Sequence, residues 1–268
     1  MGFARTSQLL TLVGLSVATA TSASAAPVTL SSGASRNCTG QMSMRMVDAQ
    51  GQPVATGAPE TEAMSETLSV RLADGRYELR HTTTDPEGET LLIAQIRPDG
   101  SVIDATISGA GTMGMTGDPL RQLAMFGARA MPERLVAGRD FRPGDGLYTD
   151  ADTQAILGGM AAMFGLPADI QLESTGNMPL TESTGEGANR TLTFAGPATF
   201  RGSGRIGGQM MEVEMSGEGT TVIDATTGLL RASSMEANIG FKAGGVALLG
   251  MHMRMSLTCI ITAGTPSA

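Results

Sequence analysis

Apolar and polar residues alternate with a period of two along much of this chain. Residues 66–73 set Leu68, Val70 and Leu72 against Thr67, Ser69 and Arg71, the signature of a strand with one buried face. Asp74-Gly75 then turns into 76–84, Pro86-Glu87-Gly88 into 89–97, and Pro98-Asp99-Gly100 into 101–108. Turn residues between alternating runs predict hairpins, here a four-strand meander. Strand patterns resume at 169–175 and continue through 189–195, 198–203, 210–217, 220–225, 229–241 and 246–261.

Between these blocks the pattern changes. Residues 109–117 are rich in Gly and Met, and Asp118-Pro119 offers an N-cap with proline at the first helical position. Leu120, Leu123, Ala124 and Met131 share a helical face that Pro132 closes. A second helix is predicted from 149 or 150, with Ile156, Leu157, Met160, Met163 and Phe164 on one side, although Gly158-Gly159 costs about 1 kcal/mol per residue relative to Ala. The expected fold is mainly β: a curved antiparallel sheet, open barrel or sandwich with a central two-helix insertion at about 118–165, all within one domain at 26–268.

The two cysteines sharpen this picture. Cys38 precedes a stretch in which Met42, Met44 and Met46 alternate with Ser43 and Arg45, and Cys259 follows one in which Met251, Met253 and Met255 alternate with His252 and Arg254. Placing the two strands antiparallel with Cys38 opposite Cys259 makes paired numbers sum to 297. Met42 then faces Met255, Met44 faces Met253 and Met46 faces Met251, while Ser43 meets Arg254 and Arg45 meets His252. One register serves both the disulfide and the apolar faces, and a slip of one residue would turn the methionines outward. Because directly opposed cysteines make a demanding bridge geometry, a link between facing sheets or frayed strand ends is the alternative.

Residues 1–25 carry one charge, Arg5, then the apolar run 9–15 and small residues ending Ala23-Ser24-Ala25. That order predicts a removable export signal, and the run is shorter than the roughly 20 residues that span a bilayer. A soluble exported protein is expected, periplasmic in a Gram-negative source or otherwise secreted, where two cysteines pair. The net charge of −8 and the single lysine, Lys242, argue against nucleic acid and anionic membranes, which need clustered basic residues.

The pentapeptide at 102–106 recurs at 222–226, predicting either a duplicated half or two equivalent strand-turn elements. The second copy runs into Asp224-Ala225-Thr226-Thr227-Gly228-Leu229. This D-x-x-T-G-L turn, with Pro132 through Val136 and Gly138-Arg139-Asp140-Phe141, resembles a loose class of exported bacterial β-domains. Arg139 and a Phe in place of Trp at 141 depart from that class. Its architecture is similar to the periplasmic lipoprotein carriers (LolA-like), whose curved sheet wraps a helical lid over an apolar cavity. The resemblance spans 66–260, rests on structural turns and transfers no catalytic residue.

With 19 methionines against seven Phe, two Tyr and no Trp, the interior must be filled largely by Met, which adapts to irregular gaps. Met42, Met44, Met46, Met251, Met253 and Met255 are therefore expected to line a core or cavity. The alternative is a Cu(I) site, since thioethers are soft ligands, with Met113 and Met115 on the glycine-rich loop as its best candidates. His81 and His252 have no visible nucleophile partner, no G-x-S-x-G, H-E-x-x-H or P-loop occurs, and 202–208 reads as a hairpin loop. The acidic residues around 143–146 lack EF-hand spacing. The expectation is a non-enzymatic envelope protein without a cofactor, binding an apolar ligand or a protein partner.

Overall fold

The computed structural model describes residues 26–264 apart from 49, 51, 55–59, 113, 164–170, 176, 186–189 and 207–208. The predicted export signal, Met113 and Phe164 lie outside the described residues. So do the side chains of Leu157, Met160 and Met163 on the second predicted helix.

Among the described residues eleven strands form one antiparallel sheet: β1 (Ser35–Val47), β2 (Glu60–Ala73), β3 (Arg76–Asp85), β4 (Gly88–Ile96), β5 (Val102–Gly109), β6 (Gln171–Thr175), β7 (Leu180–Thr184), β8 (Thr191–Ile206), β9 (Gln209–Asp224), β10 (Leu229–Ala243) and β11 (Val246–Thr262). Their order is β5-β4-β3-β2-β1-β11-β10-β9-β8-β6, with β7 also on β8. The chain winds outward from a central β1–β11 seam. Among the described residues no pairing joins β5 to β6, so the sheet stays open. The helices occupy that gap: α1 (Asp118–Ala130) packs on β5, β4 and α3 (Asp150–Met163), and α3 reaches β6.

The seam has the register in which numbers sum to 297, from Ser35↔Thr262 to Val47↔Gly250. Cys38 and Cys259 are bonded directly across it, with Cα atoms 3.9 Å apart, which excludes the alternative of a bridge between facing sheets.

Two pattern breaks were expected to end strands and do not. Gly196-Pro197 lies inside β8 and the run Gly217-Glu218-Gly219 inside β9, and they pair with each other. Glycine within a strand permits a bend and close approach of other chain. Here a Cβ atom on Gly196 would come within 3.1 Å of the Pro179 ring, and one on Gly219 within 3.2 Å of the Met178 methyl. Strand β7 carries one buried residue, Leu180, followed by four exposed ones, too little alternation to signal a strand.

The helices also differ in detail. Gly117 caps α1, and Asp118 sits in the first turn, where its charge opposes the helix dipole favourably. Pro132 ends α1 and opens a second helix, α2 (Pro132–Val136), because proline lacks the N–H needed inside a helix but not in its first turn. The glycines of α3 are offset at its start: Thr149 Oγ1 accepts from the Asp152 N–H at 3.1 Å while Asp152 Oδ2 accepts from the Thr149 N–H at 3.0 Å, a reciprocal cap.

The two copies of the repeated pentapeptide are not equivalent elements. The first copy begins β5 and leaves Asp104 exposed, whereas the second ends β9 and buries Asp224. Asp224 Oδ1 accepts from the N–H groups of Thr226 and Thr227 at 3.0 and 2.9 Å, and Gly228 takes φ +71° to complete the turn against Leu30.

Candidate functional site

Alternation assigns one face of the sheet to the interior. On β9, β10 and β11 this inner face carries Thr221, Ala237 and Leu257 in the buried part, then Met235 and Met255, which are directly paired. The helical segment crosses above it. Gly127 and Ala130 of α1, Met131 and Pro132 at the α1–α2 kink, and Tyr148 before α3 form the roof. Between roof and sheet lies a cavity of about 420 Å³ lined by Met131, Met178, Met215, Met235 and Met255 with Leu92, Leu230 and Leu257. That size and apolar lining suit an aliphatic ligand, and unbranched thioethers can repack around it.

At one end of the cavity four ionisable groups meet. Arg36 Nε donates to Glu133 Oε1 at 2.7 Å, and Arg36 NH1 pairs with Glu66 Oε2 at 3.0 Å and contacts the Cys38 sulfur at 2.7 Å. His81 Nε2 lies 3.1 Å from the same Glu66 oxygen. The Arg36 and Glu133 side chains are 2% and 0% exposed, and Glu133 Oε1 also accepts from the Leu230 N–H at 3.2 Å. Burial opposes charge on Arg36, but Glu133 and Glu66 outweigh it and hold the guanidinium above its ordinary value. Burial likewise pushes the Glu66 carboxyl up, yet the His81 hydrogen bond and charge, joined by Arg36, hold it down at about 2. Burial, and then the Asp152 charge, pushes the Tyr148 phenol up.

This arrangement sets a pH dependence. Glu66 binds its proton near 4.5 when unfolded and near 2 when folded, so its stabilisation is complete above about pH 4.5 and lost as pH falls toward 2. Acid unfolding monitored by circular dichroism is expected to shift to higher pH in Glu66→Gln, which lacks that charge. Equal profiles for the two proteins would remove Glu66 from the acid response.

The inner face continues past the cavity, and there the inward expectation needs correction. Met42, Met251, Met253 and Met255 are half-buried, but Met44 and Met46 are 43% and 45% exposed. None of the six belongs to the packed clusters, which centre on residues such as Leu79, Ile96, Leu192 and Phe194. Among the described residues the helices pack on β4, β5, β6 and β10 and none is seated on this end of the long strands. Met115 sits on the segment before α1, its N–H bonded to Thr112 O at 2.9 Å, apart from the sheet methionines.

The outer face is polar. His252 and Arg254 both bond Glu236, at 3.0 and 2.8 Å, and Arg201 and Lys242 bond Glu214. A larger concavity of about 700 Å³ is lined by Gln41, Ser43, Glu218 and Arg254 together with Met235 and Met255; its mixed walls and wider mouth offer an apolar molecule less burial than the inner cavity. Arg139 donates to the carbonyls of Leu135 and Gly146 at 3.0 and 2.7 Å and lies 4.4 Å over the Phe141 ring, so it ties together the loop before α3.

The Arg36–Glu66–His81–Glu133 cluster was missed in the sequence, although a signal existed. Arg36 shares parity with Cys38 and Met42, Glu66 with Leu68 and Val70, and His81 with Leu79 and Tyr77. Three charged or titratable groups at inward positions on neighbouring strands point to a buried network. Glu133 gave no such signal, since its direction depends on the kink at Pro132.

No helix among the described residues is long and apolar enough to cross a membrane, and the disulfide fits an extracellular protein. No family model matches the chain, and no curated protein matches it. Among solved structures, one of lipid–protein interactions in lipovitellin is similar over 88% of this chain at 10% identity, with a TM-score of 0.30. This chain spans 26% of that lipovitellin chain. The ywiB protein from Bacillus subtilis is similar over 86% of this chain and 94% of its own at 11% identity, with a TM-score of 0.20. Likenesses this slight carry no argument about function.

Proposed function

We propose that this is a non-enzymatic protein of the periplasm, or secreted, that carries or senses an apolar ligand held between the helices and the inner sheet face. The cavity of about 420 Å³ beneath the α1–α2 kink carries the reading. Its walls are mainly thioether and aliphatic, and Arg36, Glu66 and His81 at its end are engaged with one another and with Glu133. The lipoprotein-carrier resemblance of the sequence agrees with a sheet roofed by helices over an apolar space. Export follows from the predicted signal at 1–25, with which the disulfide is consistent.

Delipidated protein is expected to take up a fluorescent long-chain fatty acid with one site per molecule. Met255→Arg places a charge on the half-buried cavity wall, and uptake should fall at least about tenfold, because an unpaired charge is costly in an apolar site. Circular dichroism of the variant should stay unchanged. Wild-type protein that takes up neither this probe nor a neutral apolar dye would overturn the reading in favour of a solid core.

A further inference from the structure

We propose that Met44, Met46, Met251 and Met253 form a binding site for one Cu(I) ion at the open end of the inner sheet face. Met44 lies directly opposite Met253, and Met46 opposite Met251, so all four side chains leave the same face. Opposed Cβ atoms on antiparallel strands are about 4.5–5.5 Å apart, and alternate residues along a strand about 6.6–6.8 Å. The four Cβ atoms therefore mark a rectangle whose centre is about 4 Å from each, within reach of a flexible thioether side chain.

Packing alone does not account for this group. Met255 is used by the cavity, but Met44 and Met46 stand exposed, with no helix of the described residues packed on β1 there. Exposure gives an ion access. On one side the neighbouring row offers Ile239, paired with both Met251 and Met215, and on the other the β2 row offers Glu60, paired with Met44, and Glu62, paired with Met42, so the group lies between an apolar and an acidic row. The nearby cationic side chains of Arg45 and Arg254 and the His252 ring alternate onto the opposite face, where the latter two are held by Glu236.

The donor set also selects the ion. Thioethers are soft and suit Cu(I). The two cysteines are committed to a disulfide, and among the described residues no group of three His, Cys, Asp or Glu could hold a metal ion. The site differs from the loop candidates: Met113 lies outside the described residues, and Met115 follows β5, at the sheet edge four strands away from β1.

The test uses the mature chain with its disulfide intact. Titration with Ag(I), a soft monovalent ion that needs no reductant, is followed by calorimetry and native mass spectrometry. Cu(I) is then measured by competition with a chromogenic chelator. One ion per chain is expected, with Kd below about one micromolar, and a sulfur-only first shell by X-ray absorption. Met44→Leu with Met253→Leu preserves volume and apolarity, a swap that usually costs under about 1.5 kcal/mol; it should weaken binding at least tenfold. Met46→Leu with Met251→Leu gives the same readout from the other pair. Met113→Leu with Met115→Leu should leave binding unchanged, and fatty-acid uptake should survive in all three variants. Wild-type binding weaker than micromolar, affinity retained in both sheet variants, or affinity lost in the loop variant would each overturn the site.

Discussion

Arg36→Met is expected to lower the stability of the folded protein by about 3–5 kcal/mol, the usual cost of removing one partner from a buried ion pair. Methionine replaces the aliphatic stem but none of the donors. Glu133, with a wholly buried side chain, would keep only the Leu230 N–H on Oε1, while its Oε2 already has no partner. Glu66 would retain His81 alone. For a domain of this size each kcal/mol moves the melting temperature by about 2–4 °C, so Tm should fall by roughly 6–20 °C. Urea unfolding of wild type and variant gives the free-energy difference directly. A loss below about 1 kcal/mol would mean that water replaces the guanidinium and that the cluster is more open than its exposures indicate.

Replacing both cysteines, Cys38→Ala with Cys259→Ala, is expected to cost about 5 kcal/mol. The bridge closes a loop with a sequence separation of 221, and in the chain-entropy model a loop of that length restrains the unfolded chain by roughly that amount. The native ladder from Ser35 to Val47 remains to hold the seam, so the variant should fold to the same structure with a lower denaturation midpoint. Unchanged stability would show that the unfolded chain already keeps the two strands together. The two losses should not add, because Arg36 NH1 touches the Cys38 sulfur; a double-mutant cycle measures the difference.

Much of the frame can be read from the residues. Two cysteines and six methionines specify the central register, because only one pairing satisfies both. Asp74-Gly75 and its counterparts delimit the meander, and Asp118-Pro119 marks the helical segment. What escapes the sequence depends on contacts between distant parts. Gly196-Pro197 looks like a strand end until Gly219 is placed across from it, with Met178 and Pro179 filling the space. Leu180 is a single buried residue in β7. The orientation of Met44 and Met46 is legible from parity, but their exposure depends on how far the roof extends, and no local pattern encodes that. The candidate site divides likewise: its methionines stand out in the composition, whereas Glu133 enters only because Pro132 redirects the chain.

The order of the strands bears on how the molecule assembles. Each half of the sheet is built from neighbours in sequence, β2 through β5 on one side and β8 through β11 on the other, and such ladders close short loops. The seam does the opposite, joining the first strand to the last. Contacts of that sequence separation form late and slowly, because loop closure must be met before they contribute. Two locally wound halves can therefore form independently and then dock along one line, and oxidation of Cys38 with Cys259 becomes a chemical record that docking has occurred.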